Sequence, residues 1–317
     1  MRKIKSLRLL AIAGIISFGF HQCTNDEEIF SGFPIVWEYE SLQAVHDAMN
    51  LTDTVVLTIV DPTISNTLNG PKGTQFVFPE NSIKLNNGGE ALPPFTFQLL
   101  EIYKRGDMIR HNVQTFQGAN PLVSTGAIWL VGTDANGDAL AFNEVQTIFP
   151  YKTDANAYQE KMKHYTGEIQ MAPSGAIHSW TGGQTEVVYT SESDTFTLSN
   201  TKPEWNQSAA PYELGEDATQ FKVRIGSTTD FAMAQAFFAS NDLTTVAALT
   251  SVEQDALATP TKSIPMGTQG KIVAIALIEG KLHFGTQEVT VNGDDEFSVA
   301  VNPGTLDELI ILLNAMN

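Results

Sequence analysis

The chain has 317 residues, of which 42% are hydrophobic and 9% aromatic, enough to bury a sizeable core and to form two domains. This composition is not that of a disordered chain. The 36 acidic residues outnumber the 18 basic ones, so the formal net charge is -18. A surface this negative repels phosphate backbones, and nucleic acid is therefore excluded as a partner.

Residues 1–22 have the pattern of a secretory signal, with a basic start and an apolar stretch from Leu9 to Phe20 that is too short to span a bilayer comfortably. The only cysteine, Cys23, follows directly, where bacterial lipoproteins carry the residue that is acylated after cleavage. We therefore expect lipid attachment at Cys23. The alternative is a plain secretory signal with an incidental cysteine, because the bulky Gln22 stands where lipoproteins have a small residue.

Three acidic residues, Asp26, Glu27 and Glu28, come shortly after the predicted lipid site. They resemble the acidic export signal that directs lipoproteins of Bacteroidetes-type cells to the outer face of the outer membrane. The alternative is a solvated tether on an inner-leaflet lipoprotein. Without residues 1–22 the chain loses four basic residues, which leaves 14 against 36 acidic residues and a net charge of -22. The predicted location is the outer membrane, with the lipid anchor as the membrane contact.

The first half of the chain changes from tether to strands. Residues 23–52 predict an acidic tether and a short helix at 40–49, where apolar residues recur at helical spacing. Residues 53–150 predict a β-domain, with strands in "VVLTIV", "TQFVF" and "PFTFQLLEIY". The segment "AIWLVGTDANGDALAF" predicts a hairpin that turns at Asn136-Gly137.

The second half predicts another β-domain after a connecting region. Residues 151–208 form a middle segment with a short helix at 154–164 and a few strands. Residues 209–317 form the second domain, with a hairpin near Gly280 and a final helix that begins with the capping box of Thr305 and Glu308. The predicted fold class is mainly β, with two β-sandwich-like domains and a few short helices, including a C-terminal helix.

Residues from about 65 to 145 resemble a known β-domain. "GPKGTQFVFPENSI", "QLLEIYKRGDMI" and "PLVSTGAIWLVGTDANGDAL" follow one another in this order. They are similar to the domain named from zonula occludens proteins and netrin receptors, and especially to its bacterial lipoprotein relatives. Two later segments, "KMKHYTGE" and Trp205-Asn206, also resemble the downstream region of those lipoproteins. The resemblance implies a β-domain and an exported location, but no catalytic residues and no ligand.

The tripeptide Arg105-Gly106-Asp107 is the sequence of a cell-adhesion signal. We interpret it as a turn, because Asp107-Met108 belongs to the family pattern and Gly106 suits a turn between strands. The adhesion reading is the alternative, and short motifs of this kind often occur by chance.

The sequence contains no convincing catalytic or metal site. Its six histidines lack the paired spacings of zinc ligands, and "DANGDA" departs from a calcium loop at the sixth and twelfth positions. The formal Ser-x-x-Lys match at Ser199 to Lys202 requires a helix, which Pro203 disfavours. We predict no enzyme, no metal and no cofactor.

Exposed indoles are the remaining candidates for ligand binding, because they stack on sugar rings. We expect Trp129 to lie in the core. Of the tryptophans, Trp180 in the loop-like "HSWTGG" is the best candidate for an exposed indole that stacks on a ligand, and burial of Trp180 is the alternative. The leading hypothesis is an exported outer-membrane lipoprotein that acts as a binding or structural module. The alternative is a carbohydrate-binding surface component of a glycan-utilisation system, and the partner is then a glycan rather than a protein.

Overall fold

The computed structural model describes residues 38–50, 53–150, 156–226, 228 and 230–316. The predicted signal at 1–22 and the residues Cys23, Asp26, Glu27 and Glu28 lie outside this part of the chain, so lipid attachment and export stay predictions. None of the helices in the described part is long and apolar enough to cross a membrane.

The protein is mainly β, as predicted. The α-helices are α1 Leu42–Met49, α2 Arg105–Arg110 and α3 Leu306–Asn314, and two 3-10 segments are Asn156–Lys161 and Phe231–Met233. The first strands are β1 Val55–Ile59, β2 Asn66–Asn69, β3 Gln75–Phe78, β4 Ile83–Leu85, β5 Phe95–Ile102, β6 Phe116–Gln117, β7 Asn120–Thr133, β8 Leu140–Phe142 and β9 Gln146–Pro150. The next are β10 Lys163–Ala172, β11 Gly175–Glu186, β12 Val188–Thr190, β13 Thr195–Leu198, β14 Glu204–Pro211, β15 Ala218–Thr219 and β16 Lys222–Ile225. The last are β17 Ala234–Ser240, β18 Val246–Ala248, β19 Ser251–Glu253, β20 Ala256–Ala258, β21 Ile264–Pro265, β22 Gln269–Ile278, β23 Lys281–Thr290, β24 Glu296–Val299 and β25 Asn302–Pro303.

The first sandwich packs two sheets over an aromatic core. A seven-stranded sheet has the order β1-β5-β7-β14-β10-β11, with β6 also paired to β7, and it faces a five-stranded sheet of order β12-β13-β9-β3-β2. Phe76, Phe97, Phe149 and Phe196 fill the space between the sheets. The segment predicted as a middle region contributes β10 to β13 and most of β14 to these sheets.

The second sandwich has a smaller, aliphatic-rich core. Sheets of order β19-β20-β16-β24 and β18-β17-β22-β23-β25 enclose Phe221, Phe238 and Ile272. The predicted hairpin near Gly280 is confirmed as the β22–β23 pair, which turns at Glu279 and Gly280 with φ angles of 53° and 74°.

A third core joins the remaining faces of both sandwiches to the three α-helices. A single strand can contribute to two cores because its side chains alternate between the two faces of the sheet. In β5, Phe97 and Leu99 point into the first sandwich, whereas Leu100 and Ile102 point into this central core. Helix α3 lies here beside α1 and α2, with Leu309 and Leu313 fully buried. Its predicted capping box is confirmed, since the Thr305 hydroxyl and the Glu308 carboxylate each accept the other's backbone N–H. The described residues consequently form one compact unit.

The predicted hairpin after β7 is only partly correct. The turn exists, with Gly137 at φ 87°, but β8 leaves β7 after one bridge between Thr133 and Ala139 and pairs with β4 instead. The Asp134 carboxylate organises this turn by accepting the backbone N–H groups of Asn136 at 2.8 Å and Asp138 at 3.0 Å. These bonds give the Asp134 carboxylate a structural role in the turn.

The turn predicted at Arg105-Gly106-Asp107 is wrong, because these residues begin helix α2. A Cβ atom on Gly106 would collide with the carbonyl oxygen of Leu313 in α3, so the glycine permits close packing of two helices. Asp107 is 8% exposed and binds the Lys72 ammonium at 2.9 Å, while the Arg105 guanidinium donates to the Ser240 carbonyl. Neither charged side chain is free for a receptor.

Candidate functional site

Three tryptophans and a glycine form one row across four strands of the seven-stranded sheet. Trp129 on β7 is the register partner of Trp205 on β14, and Gly167 on β10 is the partner of Trp180 on β11. Register partners point to the same side of a sheet, so all three indoles lie on the face that also contributes to the central core.

Trp180 is fully buried, so the predicted exposure of this residue is wrong. Its indole N–H donates to the Gln114 carbonyl at 2.6 Å, and its ring meets the edge of Trp205 at a centroid distance of 6.3 Å and an angle of 87°. The local sequence "HSWTGG" is polar, but the residue sits inside β11 and the central core covers it. Trp180 therefore packs against the buried side of Trp205 and cannot stack on a ligand.

Trp129 and Trp205 are half-buried and line an open cleft of about 350 Å³. The prediction that Trp129 belongs to the core is thus only half correct, because one side of its ring packs on the core and the residue also faces the cleft. His178, Glu168 and Glu204 line the same cleft. Both glutamates are exposed to solvent. Two Trp, one His and two Glu residues are thus among those that line the cleft.

Gly167 makes room for Trp205. A Cβ atom built on Gly167 would lie 2.5 Å from the Cβ atom and 3.2 Å from Cγ of Trp205. Any larger residue would have to displace the indole, since real Cβ atoms do not approach so closely. The glycine sets the position of Trp205 and keeps this wall of the cleft open.

His178 packs against Trp205, with ring centroids 5.0 Å apart and an interplanar angle of 45°. Its backbone is fixed by a bond from its N–H to the Asn112 carbonyl at 2.9 Å and one from the Gln114 N–H to its own carbonyl at 3.0 Å. Burial lowers the pKa of His178, and the neighbouring His111 lowers it further. At neutral pH the imidazole is therefore uncharged, with one donor and one acceptor nitrogen.

Glu204 is the first residue of β14 and lies at the cleft. The loop that precedes it is fixed by hydrogen bonds to the fully buried Asn206. The Asn206 amide donates to the carbonyls of Lys202 at 2.7 Å and Glu204 at 3.2 Å, and its oxygen accepts the Lys202 N–H at 3.0 Å. Asn200 and Glu204 have positive φ angles of 64° and 74°. The three bonds of Asn206 hold the loop in this conformation.

A second cavity, of about 260 Å³, lies on the other side of this loop. It is lined by Lys202, His164, Thr181 and the glycine turn Gly182-Gly183, while Thr166 lines both this cavity and the cleft. Burial lowers the pKa of His164, against the opposing effect of its 3.0 Å bond to Asn206. Ser199 and Lys202 both line the cavity, but neither lies in a helix, as expected from Pro203.

Sequence reasoning did not single out the cleft residues Trp205, Glu168, Glu204 and His178. The segments "KMKHYTGE" and Trp205-Asn206 do resemble the downstream region of the lipoproteins, and the structure places them side by side, with Thr166 and Asn206 as register partners. Their adjacency could not be inferred from the chain, because the paired residues Thr166 and Asn206 are 40 positions apart. Within the described residues, no cluster of three or more His, Cys, Asp or Glu side chains could hold a metal ion.

No family model matches the chain, and no curated protein is significantly similar to it.

Proposed function

We propose that the protein is a saccharide-binding module rather than an enzyme, and that it is exported and anchored by lipid on Cys23 to the outer membrane. The observation that carries the binding proposal is the cleft in which Trp129 and Trp205 stand beside Glu168 and Glu204. The anchoring proposal rests on the signal-like residues 1–22, on Cys23 and on the acidic residues that follow it.

The chemistry of the cleft suits a sugar ring. The faces of a pyranose present C–H groups that pack on indoles, and its edges present hydroxyl groups that donate to carboxylates. The neutral His178 adds one donor and one acceptor next to the Trp205 ring. A cleft of about 350 Å³ lies at the small end of ligand sites and suits one or two sugar units.

The two glutamates favour binding over hydrolysis. A glycosidase needs one carboxyl group that is kept protonated by an apolar, water-excluded environment. Glu168 and Glu204 are both exposed to solvent, so neither has that environment. They are instead suited to accept hydrogen bonds from a bound saccharide.

The test is a titration of the purified mature chain with a panel of neutral, acidic and amino-substituted oligosaccharides, followed by indole fluorescence and calorimetry. We expect Trp205→Ala to weaken binding about tenfold or more, and Trp205→Phe to retain most of it, because stacking on an aromatic face contributes about 1–2 kcal/mol. Glu204→Gln tests the same cleft at an exposed residue, where a substitution carries little risk to folding. A folded wild-type chain that binds no member of the panel would refute the proposal.

A further inference from the structure

The face of the seven-stranded sheet that carries Trp129 and Trp205 continues beyond the cleft towards β1, the last strand of this sheet. Side chains alternate along a strand, so Val131 lies on the same face as Trp129. Val131 pairs with Gln98 on β5, and Gln98 pairs with Val56 on β1. Because register partners share a face, these three side chains form a second row, next to the row of the tryptophans.

The second row is accessible to solvent, whereas the first row is covered where it reaches β5. Trp129 pairs there with Leu100, which is only 6% exposed because it belongs to the central core. In the second row, Val56 is 65% exposed, Gln98 is exposed and Val131 is half-buried. A ligand that extends from the indoles towards β1 therefore passes over the second row.

A third row lies one further step along the same face. Thr133 on β7 pairs with Thr96 on β5, which pairs with Thr58 on β1. All three threonines are half-buried or exposed, so this row adds hydroxyl groups to the accessible surface. The side chains of the second and third rows, which we call the outer platform, are Val56, Thr58, Thr96, Gln98, Val131 and Thr133.

The outer platform has no charged side chain, although the chain contains 36 acidic and 18 basic residues. Its two valines offer apolar surface to the C–H groups of a sugar ring, and its amide and hydroxyl groups offer donors and acceptors to sugar hydroxyls. A charged ligand group would lose water here without gaining a counter-charge. The outer platform is therefore complementary to uncharged sugar units.

The distance across the platform sets the length of the ligand. Strands β14, β7, β5 and β1 are neighbours in the sheet, so Trp205 and Val56 are separated by three strand spacings of about 4.8 Å, or about 14 Å. No single sugar unit covers that length. Within the described residues no strand of this sheet lies beyond β1, so a longer chain can continue past its edge.

We infer that the cleft and the outer platform together bind an interior stretch of an extended, uncharged polysaccharide chain, which crosses the strands from Trp205 to β1. The inference rests on the proposed function and names its ligand class: a neutral chain of several units, rather than a single sugar or a chain end. The observation that carries it is the strand register, which places the indoles and the outer platform on one face.

The experiment titrates the purified mature chain by calorimetry with β-linked oligomers of glucose, mannose and xylose, each from the disaccharide to the hexasaccharide. We expect the affinity of the wild type for at least one series to rise about tenfold with length, because the added units cover apolar surface on the outer platform. The double variant Val56→Ser with Gln98→Ala should lose this rise and bind long and short oligomers with similar affinity.

Two further variants separate the outer platform from the cleft and from general effects of substitution. Val188→Ser is the matched control, since Val188 is 61% exposed on β12, the last strand of the facing sheet, and this variant should keep the rise. Trp205→Ala should weaken the binding of every oligomer, whatever its length. Thermal unfolding shows that each variant is folded.

An affinity of the wild type that does not rise beyond the disaccharide would overturn the inference and leave saccharide binding intact. A rise that persists in the double variant would do the same, because the added units would then bind elsewhere. Binding of acidic or amino-substituted saccharides alone would refute an uncharged ligand. Failure of every saccharide to bind the wild type would overturn the inference together with the proposed function.

Discussion

A Cβ atom on Gly167 would lie 2.5 Å from the Cβ atom of Trp205. The observed position of the Trp205 indole is therefore possible only with glycine at position 167. The backbone of Gly167 needs no left-handed conformation, since its φ is not positive. The requirement is therefore one of space alone, and the binding surface depends on it directly.

We accordingly expect Gly167→Val to displace Trp205 and to weaken saccharide binding about tenfold or more, because the stacking surface moves and the cleft narrows. The measurement is indole fluorescence titration, with thermal unfolding to show that the variant is folded. Gly293→Ala is the matched control, since a Cβ there meets nothing within 4 Å. Unchanged binding by a folded Gly167→Val variant would show that Trp205 is not part of the site.

Trp180 is expected to act on stability rather than on binding. Trp180→Phe removes the indole N–H that binds the Gln114 carbonyl at 2.6 Å and leaves a small void in the central core. We expect the free energy of unfolding to fall by about 2–4 kcal/mol. Chemical denaturation measures this loss, and the affinity of the folded variant for saccharide should change little. A variant as stable as the wild type would contradict the buried position of this indole.

Stability should fall as the solution becomes acidic, because several histidines are buried in their neutral form. Burial lowers the pKa of His46, His164 and His178, and burial with the nearby Arg110 lowers that of His111 to about 3. The unfolded chain binds these protons at about pH 6.5, whereas the folded chain does not. The stabilisation is therefore complete above about pH 6.5 and is lost progressively below it, down to about pH 3 for His111.

His111, whose pKa in the folded chain is about 3, contributes a loss of about 2 kcal/mol between about pH 6.5 and about pH 5, and the other three histidines act in the same direction. Urea titrations of the wild type at about pH 7.5 and about pH 5 measure the difference. His164→Gln should reduce this difference, because the variant lacks one of the imidazoles that are buried in their neutral form. A wild type that is equally stable at both values would contradict the neutral burial of these side chains.

The proposed location is tested by protease treatment of intact cells that express the wild type or Cys23→Ala. We expect digestion of the wild type on unbroken cells and release of the Ala variant from the membrane fraction, because the variant lacks the residue to be acylated. Protection until the outer membrane is opened would contradict surface display by Asp26, Glu27 and Glu28. Membrane retention of Cys23→Ala would contradict lipid anchoring at that residue.

Local patterns were sufficient for several individual elements. The helical spacing of Leu42, Val45 and Met49 predicted α1, and the capping box of Thr305 and Glu308 predicted the start of α3. Alternation and β-branched residues predicted β1, β3 and β5, since these signals depend only on residues within one strand. Helix α2 was missed because "RGDMIR" is short and its stability comes from packing on α3.

The candidate site was less accessible to sequence reasoning. Trp180 lies in a polar, glycine-rich stretch that favours exposure, yet the central core covers it. Trp129 lies in an apolar strand that favours burial, yet it faces the cleft. Local composition is a poor guide to the exposure of either residue. The second sandwich and the helices pack on this sheet, and this packing decides which tryptophans of the row are covered and which remain accessible to solvent.

The amino-acid sequence by itself determined the β class, the positions of several strands, helices α1 and α3 and the strongly acidic character, because these follow from local periodicity and composition. The tertiary structure alone decided that β14 lies between β7 and β10, and so brought Trp129, Trp205 and Gly167 into one row. Strand order and register arise from long-range pairing, and alternation within a strand says which residues share a face but not which strand lies beside it.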